Sequence, residues 1–537
     1  MVHADLVIRN GTFITLDSLD SVVAAIAVGD GKVLATGSED ELSDMVGPGT
    51  EVVDLRGRTA TPGFISTHDH FLQHGVSAEY ILDVRYPKAR SCEDIASMIA
   101  ERVRETEKGK WIIATGWDEA LLSDGRFPNR WDIDHVSPEN PVWLRRVFEM
   151  GVANSLALEE AGITKDTPDP PFGKIDRSDE GEPTGLLRGM ARDLVTGLIP
   201  AWTMVEMEGG LRRACEDFLA QGITSVVEPG ILTPQLEAYR SLHGKGGLTV
   251  RVFALYGFLR SIGEVEKAVE EIEVGGDDVF RVIGLKMQED GGIGPRTALL
   301  YEPFLGQPDN RGMQLIQPEE LKEMALRGHE EGYQVAIHAI GDKAIDVVLD
   351  AFEYAQRSSP RDDPRHQIVH CYFPSEEAMA RLKELGIMVN TQACFLYWLG
   401  DSFLESIGRS RCAGCIPLKT MLERGLPVAN SHDTTVTPPI PAYGLYASVT
   451  RKTIQGDIMG EYEAITPLQA LRTYTTLAAR HIFMEDKIGS LEPGKYADIA
   501  VWDRNPLEVA VEDLRDLRAE MTFVKGILRF NRDLVEK

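Results

Sequence analysis

Two histidines one residue apart carry the strongest chemical signal in this chain. His68 and His70 close the segment Thr61-Pro-Gly-Phe-Ile-Ser-Thr-His-Asp-His70, at the end of an apolar run. On a strand, residues i and i+2 face the same side, so both imidazoles can be presented to one metal ion. The pair alone is a weak signal. It gains weight from four further polar residues that terminate apolar runs: Lys286 after Val-Ile-Gly-Leu, His338 after Gln-Val-Ala-Ile, His370 after His-Gln-Ile-Val, and Asp433 after Pro-Val-Ala-Asn-Ser-His. Any one of them reads as a hydrogen-bonded core residue. As an ensemble they read as donors gathered at the carboxyl ends of several strands, where barrel enzymes build their active sites.

The elements that must position them follow from the apolar pattern. Short runs at Gly63–Ser66, Ile223–Val227, Val250–Tyr256, Val282–Met287, Val335–Ile337, Gln367–Val369, Ile387–Val389 and Leu426–Ala429 alternate with amphipathic stretches such as Ala344–Gln356 and Glu376–Leu385. Continuous apolar strands alternating with helices predict an α/β fold with a parallel sheet buried on both faces. Eight such units predict a (β/α)8 TIM-like barrel, assigned to residues 60–74 plus 216–484. The long interval between the first and second strands, 75–215, predicts an inserted cap with strands near Trp111–Thr115 and Pro141–Arg145. Both chain ends read as hairpins: Ala4–Leu16, Ser21–Gly37 across a Gly-Asp-Gly turn, and Lys487–Arg504 with Met521–Phe530. Residues 1–59 and 485–537 are therefore expected to form one small composite β-domain.

Composition narrows the function classes. The 537 residues hold 56 Lys+Arg against 84 Asp+Glu, a formal net charge of −28. Nucleic-acid binding needs a concentrated basic surface, and an anionic membrane would repel such a chain. No apolar run is long enough to span a bilayer, and the amino terminus lacks the pattern of a secretory leader. The 6 cysteines are sparse and irregularly spaced, as expected of free thiols in a cytoplasmic protein. Cys412-Ala-Gly-Cys415 lacks the second Cys or His pair of a zinc knuckle and reads as incidental. Phosphate-loop, dinucleotide-binding and Gly-x-Ser-x-Gly motifs are missing. The expected partners are a small-molecule substrate and at most a second copy of the chain, as a homodimer.

The chain resembles the amidohydrolase superfamily, in particular the large branch that includes N-substituted formamide deformylases and related amide hydrolases. The matching elements are Pro62-Gly-Phe-Ile-Ser-Thr-His-Asp-His70, Trp111–Asp118, Lys286 with Asp290-Gly291 and Arg296-Thr-Ala298, His338-Ala-Ile-Gly-Asp342, Arg365-His-Gln-Ile-Val-His370, and Ile488-Gly-Ser-Leu-Glu-Pro-Gly-Lys-Tyr-Ala-Asp498. They run across nearly the whole chain. The resemblance implies two divalent metal ions, with zinc the expected metal. His68 and His70 would hold the first ion, His338 and His370 the second, and Lys286, N-carboxylated, would bridge them. Asp433 would be both a ligand and the catalytic proton carrier, acting on water whose pKa the metals lower toward ~7.

The implied activity is metal-dependent hydrolysis of a C–N bond in an amide, N-substituted formamide or carbamate-like substrate. A mononuclear deaminase or decarboxylase of the same superfamily is the alternative, and a catalytically silent regulatory relative is a third reading. Six convergent metal-binding groups have no use in a passive scaffold. Departures from the family pattern fall around the ligands: Ser66 replaces a usual Asp, Val369 a common Glu, His432 precedes Asp433, and Arg146–Asn154 lacks a histidine often found there. Arg296 is a candidate substrate contact. The run Thr391-Gln-Ala-Cys-Phe-Leu-Tyr-Trp-Leu399 is expected in a strand-to-helix loop, where Phe395, Tyr397 and Trp398 would wall the pocket, with Trp117 closing it. Packing of cap on barrel is the competing role for these aromatics.

Overall fold

Eight apolar runs of the sequence become eight parallel strands of one sheet: β1 (Phe64–Ser66), β2 (Ile223–Ile231), β3 (Arg251–Leu259), β4 (Phe280–Gln288), β5 (Gln334–Ala339), β6 (Gln367–His370), β7 (Met388–Thr391) and β8 (Val428–Asn430). The structure, a computed structural model, describes residues 3–119, 121–146, 150–171 and 173–535. Residues 147–149, inside the stretch where a histidine is missing, lie outside the described residues. Strand order is β8-β7-β6-β5-β4-β3-β2-β1. The strands read as unbroken apolar runs because side chains such as Val335, Ile337, Ile368 and Val389 are buried on both faces. Helix Asp342–Ser358 buries Ala344, Ile345, Val348, Leu349 and Phe352, the stripe that packs it onto the sheet. β1 and β8 share no ladder, yet main-chain bonds join them: Asp433 N–H donates to His68 C=O (2.9 Å) and His70 N–H to Thr434 C=O (2.7 Å). The eight strands thus make a nearly closed barrel, sealed at the candidate ligands themselves.

The two chain ends form a pair of sheets. Four strands, Lys32–Gly37, Ala25–Gly29, Leu6–Arg9 and Glu51–Asp54, make one; Ile527–Asn531, Ala519–Val524, Ile499–Trp502, Thr59–Pro62, Thr12–Ile14 and Val22–Val23 make the other. Side chains from both, including Ile8, Phe13, Ile26, Ile499 and Phe523, share one apolar core. Asp30 and Gly31 take positive φ (50° and 72°), the turn that a two-residue hairpin requires. The expected Ala4–Leu16 hairpin does not form. Leu6–Arg9 pairs with Ala25–Gly29 and Glu51–Asp54, whereas Thr12–Ile14 pairs with Val22–Val23 and Thr59–Pro62. Alternation reports a half-buried strand but not its partner, and the Asn10-Gly11 bend carries the chain from one sheet to the other. A buried Arg251–Asp498 ion pair, with bonds of 2.7 and 3.1 Å, ties barrel strand β3 to this β-structure.

The chain divides into two compact units, 1–72 with 215–537, and 73–214. The second is built on a six-stranded sheet in which Ile112–Trp117 runs parallel to Val142–Arg146. Trp117 is 1% exposed inside that unit's core, with its indole N–H on Leu144 C=O (3.2 Å). Its ring packs within that unit's own core, beside Phe127. Among the described residues no helix is long and apolar enough to cross a membrane.

Candidate active site

The donors singled out by sequence meet where β1, β4, β5, β6 and β8 end. His68, His70 and Asp433 present ligand atoms that all lie within 4.8 Å of one another. Asp433 Oδ1 is 3.3 Å from His70 Nε2 and 3.6 Å from His68 Nε2. The patch continues through His370, whose ring centroid is 5.5 Å from that of His68 and 4.3 Å from that of His338. Two of these residues have backbones in the left-handed region, His370 at φ 78° and Asp433 at φ 51°. Non-glycine residues seldom adopt it, and such strain concentrates at functional sites.

Neighbouring groups fix which ring nitrogens remain free. His338 Nε2–H donates toward Gly291 C=O (3.1 Å) and lies 3.3 Å from Asp290 Oδ1, leaving Nδ1 with its lone pair. His370 Nδ1–H donates to Gln392 Oε1 (2.6 Å), which leaves Nε2. A carboxylate or amide behind the ring is the usual means of orienting a metal-binding imidazole. Asp290 also accepts the main-chain N–H groups of Leu299 (2.9 Å), Ile340 (3.0 Å) and Gly341 (2.9 Å). Its part was not assigned from sequence, although the Asp290-Gly291 pair was visible there.

Electrostatics favour a cation. Burial by itself would raise the Asp433 carboxyl, but the hydrogen bond from His70 and its setting among the His68, His370 and His70 rings hold it far below the ordinary carboxylate range. Burial drives His68 and His370 well below the ordinary imidazole value, so both are neutral, the ligating form. Lys286 is fully enclosed and its Nζ has no hydrogen-bond partner. Burial pulls its ammonium down to about 7, against the pull of Asp433. An orphaned amine beside two neutral imidazoles and an ionised carboxylate is a donor set that fits divalent metal. Glu228, in the apolar run of β2, was overlooked by sequence reasoning. It accepts Leu72 N–H (2.8 Å) and Tyr239 O–H (2.5 Å), and burial pushes it up to about 7 while the His70 charge opposes that shift.

The aromatic run is arranged differently from expectation. Cys394–Ile407 is a helix rather than a loop. Phe395 lies behind His370, at a centroid distance of 6.5 Å, and is 4% exposed. Tyr397 stacks on Tyr443 (5.0 Å) and Trp398 tilts onto the same ring (4.9 Å), so both are occupied with helix Pro441–Thr450. The continuous apolar run Cys394–Leu399 opens this helix, and the contacts it makes there are with helix Pro441–Thr450. Arg296 reaches back to Leu305 C=O (3.3 Å) in a turn with φ 59°. Cys412 and Cys415 are buried free thiols and belong to no metal-binding cluster among the described residues.

Comparison with known proteins gives the family. A profile of the Amidohydrolase family matches residues 51–529. The chain belongs to the amidohydrolase family. It is 29% identical over 545 residues to the N-substituted formamide deformylase of Arthrobacter pascens, covering 98% of each chain. It is 30% identical to Protein LONG AFTER FAR-RED 3 of Arabidopsis thaliana, covering 98% of this chain and 91% of that one. Among solved structures, an uncharacterized metal-dependent hydrolase from Pyrococcus furiosus superposes with a TM-score of 0.77 at 29% identity, covering 94% of this amidohydrolase and 100% of that chain.

Proposed function

We propose that this amidohydrolase cleaves the C–N bond of a non-peptide amide, N-substituted formamide or carbamate-like substrate with two divalent metal ions, zinc the expected pair. The observation that carries the reading is the fully buried, unpartnered Lys286 amine beside the His68, His70 and Asp433 cluster. An amine with a pKa near 7 is substantially neutral at physiological pH. Its lone pair can add to carbon dioxide, giving a carbamate with loss of one proton. That converts a costly buried cation into an anionic oxygen ligand. His68 and His70 would hold one ion, His338 and His370 the other, with Lys286 carbamate between them and Asp433 as a further ligand. Bound metal supplies Lewis acidity toward the carbonyl and toward water at neutral pH.

The remaining work belongs to side chains of the chain. Asp433 Oδ1, ionised at any working pH, accepts a proton from water and returns it to the leaving amine nitrogen. Asp290 and Gln392 keep the His338 and His370 rings in the tautomers that leave a free lone pair. We take 1–59 with 485–537 as the β-domain, 60–74 with 216–484 as the catalytic barrel and 75–215 as a cap, in a cytoplasmic enzyme acting on small molecules as a monomer or homodimer. Elemental analysis of the purified protein joined to a screen of formamides, anilides and carbamates tests the function. About two ions per chain and release of free amine are expected. One ion with deamination of a heterocycle would transfer the assignment to the mononuclear reading, and metal-free protein without turnover would overturn both.

A further inference from the structure

We propose that Phe258 is the wall against which the substrate lays a flat apolar substituent, and that Gly230 and Gly257 are glycines so that it can stand there. This rests on the hydrolase reading above and names the specificity-determining side chain for the same site. Phe258 lies near the end of β3, where the residues on either side, Gly257 and Leu259, are buried. Phe258 itself is 40% exposed, and its ring centroid is 6.0 Å from that of the candidate ligand His70, tilted by 33°. A partly exposed phenyl ring held at this distance from a candidate metal-site imidazole offers offset or edge contact to an aryl group entering beside it.

The backbone around it is built for this placement. Pairing of β3 with β4 shifts register between Tyr256 and Leu259, and Gly257 within that interval has φ 75°. On the neighbouring strand, pairing of β2 with β3 shifts between Pro229 and Ile231, and Gly230 there has φ 79°. Irregularities of this kind re-aim side chains next to active sites. A Cβ on Gly230 would lie 1.9 Å from Phe258 Cε2, so any other residue would evict the ring. The other aromatic candidates are less exposed than Phe258: Phe395 and Tyr397 are buried, Trp398 packs with Tyr397 on Tyr443, and Trp117 is inside its own unit's core.

The test reads binding separately from turnover. Benzohydroxamic and acetohydroxamic acids, which chelate divalent metal through the same atoms and differ by phenyl against methyl, are titrated into the metal-loaded full chain. Wild type is expected to prefer the phenyl compound by about ten- to a hundredfold, the worth of burying one aromatic group. Phe258→Ala should reduce that preference to about threefold or less with metal content unchanged, Phe258→Leu should keep part of it, and Gly230→Ala should lose it by displacing the ring. If Phe258→Ala loses metal or fails to fold, the Phe258→Leu and Gly230→Ala ratios decide. An unchanged ratio in the folded variants, or no preference in wild type, overturns the proposal. Hydrolysis of formanilide by the same samples tests the catalytic reading independently, because the hydroxamate ratio requires no turnover.

Discussion

Ser66 Oγ and His432 Nδ1 are hydrogen-bonded at 3.0 Å, although 366 positions separate them in the chain. Both are places where the sequence departs from the family pattern, and the structure makes them partners. The same Nδ1 lies 3.5 Å from Asp69 Oδ2, while Asp69 Oδ1 accepts the main-chain N–H (2.9 Å) and hydroxyl (2.7 Å) of Thr434. Asp433 is therefore carried on a loop gripped from both sides by the His68–His70 segment. A double-mutant cycle with Ser66→Ala and His432→Phe should give a coupling of about 0.5–3 kcal/mol in urea unfolding. Each single variant should cost roughly 1–3 kcal/mol by leaving a buried polar partner unmade. Strictly additive effects would mean the contact carries no energy.

Lys286→Ala removes the group assigned to the bridge. Metal content is expected to fall below one ion per chain, and millimolar short carboxylic acids with added metal should restore part of the activity by replacing the missing oxygens. Elemental analysis checks the first outcome and initial rates the second. Two retained ions and full activity would dismiss the bridging role.

Asp433→Asn keeps the shape of the side chain and removes its basicity. The other ligands remain, so most metal should stay, while kcat drops by about 10²–10⁴, the usual weight of general acid–base catalysis. A variant within about threefold of wild type would move the proton carrier elsewhere.

Acid should destabilise the fold through histidines remote from the metal site. His481 is fully buried, its Nε2–H donates to Pro427 C=O (3.0 Å), and burial lowers it from 6.5 to about 4 despite that bond. Its folded value lies below its unfolded value, so the unfolded chain binds the proton more readily between them. Its contribution to stability is therefore complete above pH ~6.5 and is lost as pH falls toward 4. Between pH 7.5 and 5 the loss is roughly 2 kcal/mol from this residue. Urea melts at the two pH values measure it, and His481→Gln, which keeps a donor for Pro427, should flatten the slope by about that amount. An unchanged slope would exclude His481 as a source.

The barrel was legible because its strands are buried on two faces and must be apolar throughout, a property each run carries in its own residues. His68 and His70 were legible as a pair closing an apolar run; β1 ends at Ser66, however, so the two imidazoles come together from the loop beyond the strand and not through strand period. Lys286, His338, His370 and Asp433 were found as polar stops at the ends of such runs. The hairpin expected at Ala4–Leu16 was not realised because alternation says which face is wet without saying which strand is adjacent. Periodicity over so few residues also left Phe395, Tyr397 and Trp398 in a loop, where Tyr443 and Tyr446 hold the run as a helix.

Local sequence thus determined the strand-and-helix alternation, the donors and their place at strand ends, because burial and backbone periodicity act within a few residues. Tertiary structure decided the rest. Ser66 against His432, Asp290 behind His338, Glu228 near His70 and Phe258 in the space left by Gly230 are pairings between distant segments. Their energies depend on distances of a few ångströms that only barrel closure sets, and no residue type at either end specifies its partner.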